Sequence, residues 1–303
     1  MLDAGCWMLD AGCWMLARGS HKLNPMPLGS RPIMPTNTDS RQLRRQRERR
    51  LADLGKGALA RGFPPSLDDE VSLGVAMALR NKLKEEGNRE RASEAAALAE
   101  HLLDKSNTGI APEQQIACRR GCAHCCIAAV SVTAPEIFRV AGWLRRAKGL
   151  PEDMSRARIL ARAEASRGVP VEAAMLSGVP CPLLTGGICG VYAARPLSCR
   201  QLLSRSEPDC RTLYAGTKIE PPFIEGALHR GVLARIVLLG AVRSVGLSDT
   251  SYALSGALLV ALADASAEQR WLAGEDVFAG VPVTERPAST QEFIDRTARL
   301  LVS

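Results

Sequence analysis

Four cysteines, Cys118, Cys122, Cys125 and Cys126, fall in one short run, and Cys181, Cys189, Cys199 and Cys210 answer it downstream. Eight of the ten cysteines in a 303-residue chain thus occupy less than a third of its length. The first group reads C-x3-C-x2-C-C and turns several sulfurs toward one small volume. Thiolates that close repel one another, so they need either oxidation to disulfides or a positive ion between them. That choice decides what such a chain can fold around.

Dense disulfides belong to small secreted domains and are rare in the cytosol. Residues 1–14 are a direct repeat, MLDAGCW twice, with an Asp in each copy. They have neither the basic start nor the apolar stretch of a secretory signal. The expectation is therefore a reducing, cytoplasmic setting, and metal binding rather than disulfides. Cys6 and Cys13 lie in the repeat, and the Pro- and Gly-punctuated stretch after it has no apolar periodicity. Residues 1–50 read as a disordered leader with an Arg-rich end, and Met15 and Met26 are alternative starts.

The formal charge is +7, but six arginines (41, 44, 45, 47, 49 and 50) against Glu48 put +5 into ten residues. A block like this can bind phosphate backbones. Without interleaved aromatic residues for base stacking, a solvated helix start is the expected role and nucleic acid is not the expected partner. No segment approaches the roughly 20 uninterrupted apolar residues of a membrane span. The most apolar run, Val232 to Val242, is interrupted by Arg235.

Apolar spacing predicts helices on both sides of the cysteines. Val71, Val75, Leu79 and Leu83 recur every four residues after Ser66, and Ala95, Leu98, Ala99 and Leu102 share a second face. Ile127 to Val132 reads as a strand or an extended link. Thr133-Ala134-Pro135-Glu136 is a helix start with a capping box, leading into Ile137, Val140, Ala141 and Leu144. A further helix runs from about 151 to 167. Leu228, Val232, Ile236 and Leu239 form one later face, Leu254, Leu258, Ala261 and Leu262 another, and 289–301 a last helix. Between them, 178–209 has no sustained period, and a metal site is a sufficient reason for so long an irregular stretch. The expected fold is mainly α, a helical shell around an irregular cysteine-rich metal-binding centre. It divides into an N-terminal helical segment (51–115), a cysteine-cluster core (116–215) and C-terminal helices packing on that core (216–303).

Soft thiolates select zinc, Cu(I) or iron–sulfur species over hard ions. Eight exceed one tetrahedral set, so two ions, a cluster or spare thiols are implied, and the adjacent Cys125 and Cys126 can serve different metals or bridge. Four thiolates leave a site anionic. Arg195 and Arg200 are placed to neutralise it, whereas Arg119 and Arg120 read as surface residues. His124 reads as a neighbour of the ligands, and His101 and His229 carry no assignment.

These residues carry a resemblance. Cys118-Arg119-Arg120-Gly121-Cys122-Ala123-His124-Cys125-Cys126, then Cys181-Pro182, Ile188-Cys189-Gly190-Val191-Tyr192 and Arg195-Pro196-Leu197-Ser198-Cys199-Arg200, together resemble the YkgJ-type cysteine cluster family, the CxxCxxCC zinc- or iron-chelating domain. The resemblance covers about 118–200 and implies seven ligands, Cys118, Cys122, Cys125, Cys126, Cys181, Cys189 and Cys199. Cys210 joins them by proximity alone. The first spacing departs from the pattern, with three residues instead of two between Cys118 and Cys122.

Three functions compete. One is a protein that binds zinc or an iron–sulfur cluster with no reaction of its own. Another is a purely structural zinc site holding a helical module for a protein partner. The third is an enzyme. Cys118, Cys122 and Cys125 share the C-x3-C-x2-C spacing of radical S-adenosylmethionine enzymes, and flagellin lysine methylases resemble the same family. Against it, no repeating strand–helix pattern and no glycine-rich cofactor motif follow. Whether the chain is an enzyme stays open at this point.

Overall fold

The structure, a computed structural model, describes residues 37–63, 69–108, 116–147, 152–165, 179–215 and 221–302. Cys6, Cys13 and most of the expected leader lie outside them, as do Ser66 and the end of the 151–167 helix. The described residues form eleven α-helices: α1 (Asn37–Arg61), α2 (Asp69–Leu83), α3 (Arg91–Thr108), α4 (Ala134–Arg146), α5 (Glu152–Ala165), α6 (Leu197–Gln201), α7 (Glu207–Tyr214), α8 (Glu225–Ser244), α9 (Leu254–Ala263), α10 (Ala267–Leu272) and α11 (Ala288–Val302). Four short strands accompany them, β1 (Ser131–Thr133), β2 (Leu184–Thr185), β3 (Ile188–Cys189) and β4 (Ser251–Ala253). The fold is mainly α. No helix among the described residues is long and apolar enough to cross a membrane.

The helices form where period and caps agree. Val75, Leu79 and Leu83 are buried on α2, as are Ala95, Ala99 and Leu102 on α3. The α4 start is a complete capping box: Glu136 N–H donates to the Thr133 hydroxyl oxygen, and Thr133 N–H donates to the Glu136 carboxylate at 2.8 Å. Pro135 fills the first turn, where its missing N–H costs nothing. Beneath α4 lies an aromatic knot, with Phe138 5.7 Å from Trp271 and 5.5 Å from Phe278, and Tyr252 4.9 Å from Phe278 between ring centroids. All four rings are buried, and each contributes about 1.5–3 kcal/mol by leaving water.

The sequence and the structure agree in some places and differ in others. The Arg block is the solvated helix start expected of it, in the first half of α1, and the helix continues to Arg61. Of 127–132, expected as a strand or an extended link, 128–130 form an irregular link and Ser131 and Val132 join β1, while Ile127 ends a 3₁₀ turn from His124. The expected α8 face of Leu228, Val232 and Ile236 is only half-buried. The first half of α8 buries instead Ala227, Gly231 and Ala234, on a side continued by Leu238 and Ala241, because α6 approaches too closely at Gly231 for any side chain. Gly231 packs directly on Gln201 of α6, and a Cβ on Gly240 would lie 2.6 Å from Thr297 Cγ2.

Two features join the shell to the cysteine-bearing segments. Strand β1 pairs antiparallel with β4, setting Val132 opposite Tyr252, so the chain leaving the first cysteine group is pinned to the start of α9. A buried ion network does the same for α6. Arg200, 4 % exposed, donates to Glu100 (3.0 Å), to Asp104 and to the carbonyls of Arg195 and Ala193 (both 2.7 Å). Arg139 of α4 donates to the same Glu100 oxygen at 2.6 Å.

Burial pushes the Glu100 carboxyl up to about 7 despite the Arg200 and Arg139 guanidiniums. An unfolded Glu titrates near ~4.3, so the folded state holds the proton more tightly. Its contribution to stability is complete below the unfolded value and is lost as pH rises through about 7. Urea denaturation of the wild type and Glu100→Gln between pH 4.5 and 8 should show the wild type losing ground to the variant as pH rises. A gap that does not change with pH would refute the assignment.

Candidate metal centre

The first cysteine group rests on two tight turns. Cys122 N–H donates to the Arg119 carbonyl (3.0 Å), and Gly121 closes that turn at φ +97°, a conformation that favours glycine. The extra residue in the C-x3-C spacing is absorbed there. Cys125 and Cys126 follow on the 3₁₀ turn, held by Cys126 N–H donating to Ala123 O at 3.0 Å.

The second group is delivered by three devices. Cys181 N–H donates to the Cys126 carbonyl at 2.5 Å, joining the two groups through the backbone. Strands β2 and β3 form a hairpin whose two-residue turn, Gly186-Gly187, has both φ values positive (57° and 76°), the turn that matches strand twist. It sets Cys189 opposite Leu184. Cys199 sits on α6, fastened by its neighbour Arg200 to α3.

Six of the eight expected residues, Cys122, Cys125, Cys126, Cys181, Cys189 and Cys199, line one cavity of about 100 Å³. Cys118 and Cys210 lie outside its wall. Ser204 N–H donates to the Cys118 sulfur at 3.2 Å, and the Ser204 hydroxyl bonds Cys210, which is buried on α7. All eight thiols are free. Among the described residues no three Cys, His, Asp or Glu side chains stand as a finished cation cage. The sulfurs share a wall, and the adjacent thiols of Cys125 and Cys126 act on each other.

That interaction divides the pair. It lowers the Cys125 thiol to about 7, helped by its own backbone N–H and by Arg195, and it raises Cys126. Burial raises Cys181 to about 11 and holds Cys199 well above the ordinary thiol value, with neighbouring sulfurs adding to both. Burial likewise raises Cys118, Cys189 and Cys210. One cysteine is thus poised to ionise at neutral pH, while several around it keep their protons until a cation compensates the charge.

The arginines sort differently from the sequence expectation. Arg195 does face the cavity, its guanidinium 4.2 Å from the Tyr192 ring centroid. Arg200 is committed to Glu100 and Asp104 and braces α6 instead. Arg119 is exposed and pairs with Glu207 at 2.7 Å. His124 Nε2 lies 3.3 Å from the same Glu207 and ties the first cysteine turn to α7. The residue that sequence reasoning missed is Arg235, which reaches the cavity from α8 and donates to the Ser198 hydroxyl at 2.5 Å. Its signal was there: it is the one charge in the most apolar run of the chain. Nε of Arg195 and Nε of Arg235 are both buried without an acceptor. A neutral lining leaves such donors costly, whereas an anionic thiolate–metal centre gives them a counter-charge.

The donor set fits a borderline or soft cation, zinc or iron, and not a hard ion such as calcium. No curated protein and no solved structure matches the chain significantly. Residues 117–213, the stretch that carries all eight sulfurs, match the family model of the CxxCxxCC domain, described as zinc- or iron-chelating.

Proposed function

We propose that the chain is a metal-binding protein whose centre is held by thiolates of Cys122, Cys125, Cys126, Cys181, Cys189 and Cys199, with Cys118 and Cys210 as reserve or bridging ligands. The observation that carries the reading is the convergence of six sulfurs from two distant segments on one small cavity. Zinc bound there would supply charge compensation and a fixed cross-link; an iron–sulfur cluster would add electron transfer. Arg195 and Arg235 balance the negative charge that either centre brings. Free thiols in this number imply a reducing compartment, so we place the protein in the cytoplasm.

The methylase-like alternative gains no support from the site. Organic cofactors occupy pockets of about 300–1,000 Å³, and the cavity beside the sulfurs measures about 100 Å³. The proposed role is accordingly structural, redox or metal-handling. Metal and acid-labile sulfide analysis of protein purified without oxygen tests it. Zinc without sulfide identifies a zinc site, and iron with matching sulfide a cluster. Metal-free protein with paired cysteines would sink the proposal.

The thiol values give a second test. Raised thiols must lose their protons before they bind metal, so a four-thiolate site with Cys125 already half ionised should release roughly three protons per ion at neutral pH. Apparent affinity should therefore rise steeply with pH. Calorimetric zinc titration in buffers of different ionisation enthalpy reads the number directly. Release of fewer than one proton per ion would mean that these thiols are not the ligands.

A further inference from the structure

Helix α1 runs beyond the core. Leu51 and Ala58 are buried on it, but every residue from 41 to 50 is exposed. Three of the six arginines there are tied to the protein. Arg44 pairs with Glu48 at 3.2 Å, Arg47 donates to the Leu300 carbonyl at 3.3 Å, and Arg50 pairs with Glu70 at 2.5 Å. The others, Arg41, Arg45 and Arg49, are spaced four residues apart and so share one face. That face is opposite the side on which Arg47, Leu51 and Ala58 meet the fold. Among the described residues these three have no ion pair or hydrogen bond. As sequence, the block reads as a solvated helix start; the structure adds an unpaired stripe of like charges on a rigid, protruding helix.

We propose that this stripe docks α1 on the phosphate backbone of double-stranded DNA. Every cation in the block is an arginine, whose fork binds phosphate oxygens in pairs. A helix about 10–12 Å across enters a B-form major groove about 12 Å wide, while the A-form RNA groove is too narrow. An anionic membrane needs an apolar face beneath the basic one, and Leu43 is the lone apolar residue from 41 to 50. Single strands need aromatic platforms, and α1 has none. The contact is to backbone, so it is indifferent to base sequence. It is independent of the metal reading.

The test is fluorescence anisotropy of a labelled 20-base-pair duplex with the full, metal-loaded chain. Three phosphate contacts give a log–log salt slope of about −2.7, which is a roughly 40-fold loss of affinity between 50 and 200 mM salt. The triple variant R41E/R45E/R49E should bind at least tenfold more weakly at 50 mM salt, with circular dichroism and metal content unchanged. K84E/R89E/R299E, which alters net charge equally on other exposed sites, should keep most of the binding. No binding at 50 mM salt, equal loss in the two triple variants, or a poly-glutamate peptide bound as tightly as the duplex would each overturn the proposal.

Discussion

Replacing Cys181 and Cys199 together with serine should strip the protein of metal and unravel residues 179–194 while α6 and the helical shell stay folded. The two sulfurs enter the cavity from different elements, a loop and α6, so no neighbour can take their place. The part of the segment before α6 has little else to hold it: between Val179 and Ala194 lie two strands of two residues each and one 3₁₀ turn. A structural zinc site contributes on the order of 10 kcal/mol to folding, more than such a segment gains from its own burial. The shell is different, because α2, α3, α4, α8 and α9 share a continuous apolar core. Hydrogen exchange should therefore show protection lost across 179–194 and kept in α3, α6 and α8. Metal content at the wild-type level in the double variant would show that the ligands lie elsewhere.

The second large effect belongs to a residue with no sulfur near it in sequence. At pH 8, where the Glu100 carboxyl has lost its proton, Glu100→Ala should destabilise the protein by about 3–5 kcal/mol, since it leaves a buried guanidinium uncompensated. Arg200 is 4 % exposed, and its remaining acidic partner, the Asp104 side chain, is 48 % exposed and screened by water. Arg139 would lose its carboxylate as well. The damage should also reach the metal centre, because Arg200 follows Cys199 on α6. Urea denaturation measures the first effect, and thiol labelling of the metal-free protein the second, with Cys199 reacting faster in the variant. A loss under about 1 kcal/mol would mean that Asp104 and the carbonyls suffice.

Much of the centre could be read in the sequence because its parts are local. The Thr133–Glu136 capping box, the four-residue apolar repeat of α2 and the short cysteine spacings depend on neighbours within a turn or two. What could not be read depends on distant partners. Arg235 meets the sulfurs only because α8 passes beneath α6. The face that α8 buries is set by Gln201, which crowds Gly231, and large apolar residues on the helix gave the opposite impression. Arg195 and Arg200 bracket Cys199 in the sequence. They part company in space because Glu100 captures only the second.

The Glu136 carboxylate, wholly buried, takes hydrogen bonds from the Thr133 N–H and hydroxyl and, with its other oxygen, from the Leu197 N–H at 2.8 Å. One side chain therefore clamps both the first turn of α4 and the first turn of the helix that presents Cys199. The jaw bearing Cys199 is set before any metal arrives, at the moment α4 folds. The hairpin carrying Cys189 has a looser hold, from side chains alone rather than through a helix start: Trp143 Nε1–H donates to the Gly190 carbonyl at 3.2 Å and Arg158 to the Leu184 carbonyl. Capture of an ion thus has a direction, with a fixed anvil and a closing arm, and the rate of loading should follow the mobility of the arm.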